Sequence, residues 1–101
     1  MSQVMRTFRK DPEAIIPFGF DLSDWLATGS SITTSSWTII RLIPDSQDGI
    51  TLTGDDDQGS TTTLIWLSGG VAGEKYLLTN TFTASDNEKD QRSFILAIED
   101  R

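Results

Sequence analysis

Residues 60–83 read S-T-T-T-L-I-W-L-S-G-G-V-A-G-E-K-Y-L-L-T-N-T-F-T. Two runs of β-forming residues flank a glycine-rich joint, the pattern of two strands joined as a hairpin. In the first run Leu64, Trp66 and Ser68 share one face and Ile65 and Leu67 the other. Both faces carry large apolar side chains, so this strand is expected to be buried on both sides, with Trp66 in the core. In the second run Tyr76, Leu78, Asn80 and Phe82 alternate with Leu77, Thr79, Thr81 and Thr83. One face is apolar and the other is largely threonine, as in a strand with one side on a core.

The joint narrows the fold further. Gly69, Gly70 and Gly73 allow positive φ or close backbone approach, and Tyr76 follows at the start of the second strand. The arrangement resembles the tyrosine corner of immunoglobulin-like sandwiches, where a Tyr opening a late strand bonds back to the preceding turn.

The remaining segments fit that frame. Phe18, Phe20 and Leu22 alternate as a strand, and S-D-W-L at 23–26 reads as a short turn capped by Ser23 and Asp24. Trp37, Ile39, Arg41 and Ile43 oppose Thr38, Ile40 and Leu42 in a strand ending at Pro44, with Trp37 between the sheets. D-S-Q-D-G at 45–49 reads as a turn, I-T-L-T at 50–53 as a short strand, and G-D-D-D-Q-G at 54–59 as a second turn. A polar loop over 84–92 precedes a last strand with Phe94, Leu96 and Ile98 inward. The fold class is therefore all-β, an immunoglobulin-like antiparallel β-sandwich of about seven strands, with turns every 8–12 residues or so. The expected core is Trp37, Trp66, Tyr76, Leu78, Phe82, Phe94, Leu96 and Ile98. Residues 1–16 are expected to form an extended N-terminal arm, broken from the sandwich of residues 17–101 by Asp11-Pro12 and Pro17.

At 101 residues the chain is the size of one module, and with 37% hydrophobic residues it offers little room for an enclosed substrate pocket. Lys and Arg total 8 against 15 Asp and Glu, a formal charge of -7 that disfavours nucleic acid and anionic lipid as partners. No apolar run is long enough to span a bilayer, and the basic N-terminus is not followed by the apolar stretch of a signal peptide. Histidine and cysteine are absent, which removes the usual general base, thiol nucleophile, zinc ligands and disulfides. The chain is expected to be non-enzymatic, without cofactor or metal, and suited to folding in a reducing cytosol. Asp45, Asp48, Asp55, Asp56 and Asp57 lack the spacing and terminal Glu of a calcium loop and read as solvated turns. G-G-V-A-G at 69–73 lacks the Lys-Ser/Thr ending of a phosphate loop and precedes a strand, so its glycines read as turn geometry.

K-D-P at 10–12, F-D-L-S-D-W-L at 20–26, I-T-T-S-S-W-T at 32–38, W-L-S-G-G-V-A-G-E-K-Y at 66–76, T-N-T-F-T at 79–83 and R-S-F at 92–94 resemble a family of small phage virion proteins, the fibre-tail adaptors. The resemblance covers nearly the whole chain and implies an immunoglobulin-like structural subunit of the tail or baseplate that attaches fibres or spikes. It implies tail or baseplate subunits and a fibre or spike protein as partners, several copies per particle, and a virion location reached by assembly in the host cytoplasm. Phe8, Lys10, Asp11, Asp24 and Trp25 are the expected protein-interface residues, through the arm and the neighbouring S-D-W-L segment. The Leu77-Leu78 pair departs from the family pattern, which favours Thr and Val, and implies a more apolar surface at position 77. Two other classes remain open at this point: a capsid decoration protein, and a carbohydrate-binding module using an exposed aromatic as a sugar platform.

Overall fold

The computed structural model describes residues 6–45 and 49–100. Its seven strands are β1 (Arg6–Lys10), β2 (Ile16–Asp21), β3 (Ile32–Ile43), β4 (Thr53–Gln58), β5 (Thr62–Ser68), β6 (Lys75–Ala84) and β7 (Lys89–Ile98). They form a four-stranded sheet in the order β1-β7-β6-β3 and a three-stranded sheet in the order β2-β5-β4. The all-β sandwich expected from the alternating sequence is what forms. One pair departs from the antiparallel pattern: β1 runs parallel to β7, with Phe8 opposite Leu96.

That parallel pair changes the reading of the N-terminus. Arg6–Lys10 is the edge strand of the larger sheet, while residues 1–5, the rest of the expected arm before it, lie outside the described residues. Phe8 explains the docking, because its ring meets Phe94 at 5.4 Å and Phe18 at 5.4 Å, joining the two sheets at that margin. The chain then changes sheets through a turn at Asp11, whose carboxylate accepts from Glu13 N–H at 2.8 Å and whose carbonyl accepts from Ala14 N–H at 3.0 Å.

Several boundaries differ from the sequence expectation. The glycine-rich joint does not close a hairpin: β5 pairs with β2 and β4, and β6 with β3 and β7, so the joint carries the chain from one sheet to the other. Alternating faces on each run cannot tell a hairpin from such an arch, since both bury one face of each strand. Tight hairpins join β4 to β5, where Gly59 N–H donates to Thr62 O at 2.9 Å, and β6 to β7, turning through Asn87 at φ 70, and β7 begins at Lys89 within the stretch expected to be a loop. Likewise residues 54–58 of G-D-D-D-Q-G, expected as a turn, form β4 with Thr53 on the rim of the smaller sheet, whereas residues 50–52 of the expected strand I-T-L-T are not in a strand. Asp and Gly have low β-propensity, but an edge strand needs only one partner, and charge there blocks further pairing.

Trp66 is a further correction: it is 45% exposed on the outer face, whereas Thr63, Ile65 and Leu67 of the same strand point inward. A sandwich has only two layers, so each strand has one face without a covering layer. Tyr76, Leu78, Phe82, Phe94, Leu96 and Ile98 are buried as expected. Trp37 is half-buried between the sheets, stacked on Phe20 at a centroid distance of 5.9 Å and edge-on to Phe94 at 5.9 Å. A second cluster of Leu22, Ile32 and Phe82 closes one end of the sandwich.

A buried carboxylate fixes the corner before β6. Glu74 accepts from Tyr76 Oη at 2.7 Å, Val71 N–H at 2.8 Å and Arg41 Nη1 at 3.1 Å, and Arg41 also donates to Gly49 O at 3.3 Å. The tyrosine thus bonds into its corner through this side chain. Burial raises the Glu74 carboxyl, but the bonds from Tyr76, Val71 and Arg41 outweigh it and hold the group below its ordinary value. Gly69, at φ 84, is fixed by a different constraint, since a Cβ there would strike the carbonyl oxygen of Thr51.

Glu74→Ala removes the carboxylate that neutralises the buried Arg41 guanidinium and is expected to cost about 3–5 kcal/mol in urea unfolding. Because the folded-state value is depressed, the carboxylate's contribution is present above the unfolded value of 4.5 and is lost as pH falls through the folded value. Urea midpoints taken between pH 7 and 3 should therefore fall more steeply for the wild type than for Glu74→Gln. Gly69→Ala, which adds a backbone collision to the strain of positive φ, should cost more than Gly73→Ala, where φ is 95 and the space is open.

Candidate protein-docking cleft

Along the margin where β1 and β7 face β2, the sandwich opens into a cleft of about 700 Å³. Its lining includes Phe8, Phe20 and Phe94, with Trp25 from the turn after β2. Charge of both signs surrounds these rings: Arg6 and Arg92 on the larger sheet, Asp21 and Asp24 at the end of β2, and Asp90 on β7.

Each lining group has a local cause. β1 pairs with β7 only from Phe94 to Ile98, so residues 89–93 of β7 continue past it, and Asp90, Arg92 and Ser93 among them form one wall. Gly19 lies in the opposite wall because β2 approaches β5 closely there; a Cβ would meet Leu64 Cδ2 at 2.8 Å. Asp21 ends β2 and accepts from Ser23 N–H at 3.0 Å, a bond that holds its carboxyl below the ordinary range. The expected capping role of Ser23 and Asp24 thus falls to Asp21. The chain next makes one tight turn, with Trp25 N–H and Leu26 N–H both donating to Leu22 O at 3.0 Å. This turn sets the Trp25 ring edge-on to Phe82 at 4.9 Å, a half-buried lid over the second core cluster.

Three of the five residues expected at an interface, Phe8, Asp24 and Trp25, converge on this cleft. The other two do not line it. Lys10 is 1% exposed, its Nζ donating to Gly69 O at 2.7 Å and Asp11 O at 2.9 Å, so it ties the end of β1 to the glycine joint. Burial pushes its ammonium below the ordinary value, against the pull of the Asp11 carboxylate. Asp11 shapes the adjoining turn. Arg6, Asp90 and Arg92 were not picked out from the sequence; they share the cleft with Asp24 and Trp25 because the β1–β7 margin of one sheet faces β2 of the other.

The lining is suited to binding. Its hydroxyl group, that of Ser93, is hydrogen-bonded to Thr79 Oγ1 at 2.8 Å, and the chain contains no imidazole or thiol. Among the described residues no three His, Cys, Asp or Glu side chains gather to hold a metal ion, and Asp48 of the acidic turns lies outside them. No helix among the described residues is long and apolar enough to cross a membrane.

A two-sheet sandwich with an aromatic cleft between charged walls has the surface chemistry of a protein-docking module. The comparison of the chain with known families makes this specific: residues 10–97 match the model of the podophage GP4 fiber-tail adaptor protein gp77. The chain belongs to that family, and so to the structural proteins of phage tails. No curated protein matches it.

Phe8 and Asp24 separate packing from docking within this cleft. Phe8→Ala removes a ring shared by both sheets and should lower stability by about 3 kcal/mol, the low end for such truncations. Asp24→Lys, at an exposed turn position, should leave the unfolding free energy within about 0.5 kcal/mol of wild type.

Proposed function

We propose that this chain is a non-enzymatic adaptor that joins a tail fibre or spike to the tail or baseplate by protein-protein docking, with the cleft beside β1 and β2 as one contact surface. The observation that carries the reading is the convergence of Phe8, Asp24 and Trp25 with Arg6, Asp90 and Arg92 around one opening, in a chain of the fibre-tail adaptor family. An aromatic floor supplies apolar contact, while the mixed charges fix orientation and reject mismatched partners. The net charge of -7 argues against docking on nucleic acid or an anionic membrane. Several copies act in each particle, assembled in the host cytoplasm, where a chain without cysteine needs no oxidising compartment.

The test is electron microscopy of purified particles carrying a tagged copy. Label at the tail, with fibre loss on Trp25→Ala or Asp24→Lys, is the expected result. Label distributed over the shell would instead identify a decoration protein. A protein absent from particles that still binds glycan would point to a carbohydrate-binding module.

A further inference from the structure

A two-sheet sandwich has four edge strands, here β1 and β3 in the larger sheet and β2 and β4 in the smaller. An edge strand presents unpaired N–H and C=O groups, which soluble proteins protect with charge, proline or irregular backbone. Three of these edges are so protected: β1 carries Arg6 and Arg9, β2 contains Pro17, and β4 carries Asp55, Asp56 and Asp57. β3 is the longest strand, and its one charged residue, Arg41, is turned inward onto Glu74. Its register irregularities fall near its ends, leaving residues 34–41 as a regular ladder.

The outer face of this strand is also apolar. Ile40, Leu42 and Ile43 are 42%, 37% and 48% exposed. Ile40 lies opposite Leu77 on β6, and Leu77 opposite Ile95 on β7, so a row of branched side chains runs inward from the open edge across the sheet. Both Leu77 and Ile95 are partly exposed.

Charge beside the edge selects the occupant. Asp56 pairs with inward-facing Ile65 and lies between Gly54, whose Cβ would be 3.3 Å from Ile39 Cδ1, and Gln58, which donates to Ile32 O at 3.3 Å. It therefore faces the β3 side, where burial and then the Asp55 charge raise its carboxyl above the ordinary value. Asp45 stands just beyond the end of β3. A second copy paired through β3 would bring its own carboxylates to the same margin, in a chain already at -7.

We propose that the β3 edge is a second docking surface, completed by an extended segment of a different tail protein that alternates apolar with basic residues. Its backbone extends the larger sheet, its apolar side chains cover Ile40 and Leu42, and its basic ones approach Asp45 and Asp55–Asp57. This rests on the adaptor reading and deepens it. The cleft and the β3 edge lie at opposite margins of the larger sheet, so one module can hold two partners at once.

The test uses purified full-length protein added to phage particles assembled without it, with bound copies measured by quantitative immunoblot. Ile40→Lys and Thr38→Lys, both at exposed positions, are expected to reduce bound copies about tenfold or more without changing the melting temperature. Ile15→Lys and Val71→Lys, at exposed apolar positions elsewhere, should bind as wild type. Binding should weaken with added salt and with Asp55→Asn/Asp56→Asn/Asp57→Asn; indifference to both overturns the basic partner. Wild-type binding by both β3 variants overturns the surface while leaving the adaptor reading intact. Failure of the wild type to associate with the tail overturns both. In analytical ultracentrifugation the free protein should be a monomer, and a dimer abolished by Ile40→Lys would overturn the proposal in favour of a second copy.

Discussion

The carboxylate of Glu74 is the constraint on which the sandwich turns. The chain must leave the smaller sheet after β5, cross the core and enter the larger sheet at β6, and a crossing of this kind leaves backbone donors without ladder partners. Glu74 meets that need from inside the corner by accepting from Val71 N–H, while Tyr76 Oη and Arg41 Nη1 supply further donors. Arg41 belongs to β3, so the corner is bound to the far edge of the same sheet and, through Gly49 O, to the loop leading towards β4. A buried ion pair gains little over an apolar pair in net stability, but it admits few alternative arrangements. Here it ties the joint before β6 to β3, the strand that pairs with β6.

A second set of bonds closes the same end from the other margin. Lys10 reaches from the end of β1 to Gly69 O, and Glu99 N–H donates to Lys10 O at 2.9 Å. Ile98 N–H and Gly73 N–H then join the end of β7 to the corner through Glu74 O and Ile98 O. The N-terminal strand, the glycine joint and the last strand are therefore one connected unit. β1 is held tightly at Lys10, while its Arg6 end opens onto the cleft.

The geometry of the two open margins is a consequence of where the two sheets part. At the β1–β2 margin the aromatic rings of Phe8, Phe18, Phe20 and Phe94 fill the interior but leave an opening under Trp25. At the β3–β4 margin one edge carries three consecutive aspartates and the other exposes isoleucine and leucine. Such asymmetry is what the proposed docking of two different neighbours requires. A self-associating sandwich would need one surface complementary to itself.

Much of the architecture was legible in the sequence because alternation is a local property. The two-residue period assigned Tyr76, Leu78, Phe82, Phe94, Leu96 and Ile98 to the core, and the S-D-W-L turn was visible from its residue types. Which strands pair was not legible, since hairpin and arch give the same alternation; that β4–β5 and β6–β7 are hairpins while the joint after β5 is an arch was decided by contacts between the strands. Neither was the strand character of T-G-D-D-D-Q, which comes from pairing with β5 against its own propensity. For the candidate site, the sequence picked out Phe8, Asp24 and Trp25, but not Arg6, Asp90 and Arg92 beside them, nor the outward turn of Trp66. The sequence by itself determined an all-β module without histidine or cysteine chemistry. Tertiary structure decided which faces were left uncovered, because exposure depends on the neighbour that a strand acquires and not on the strand alone.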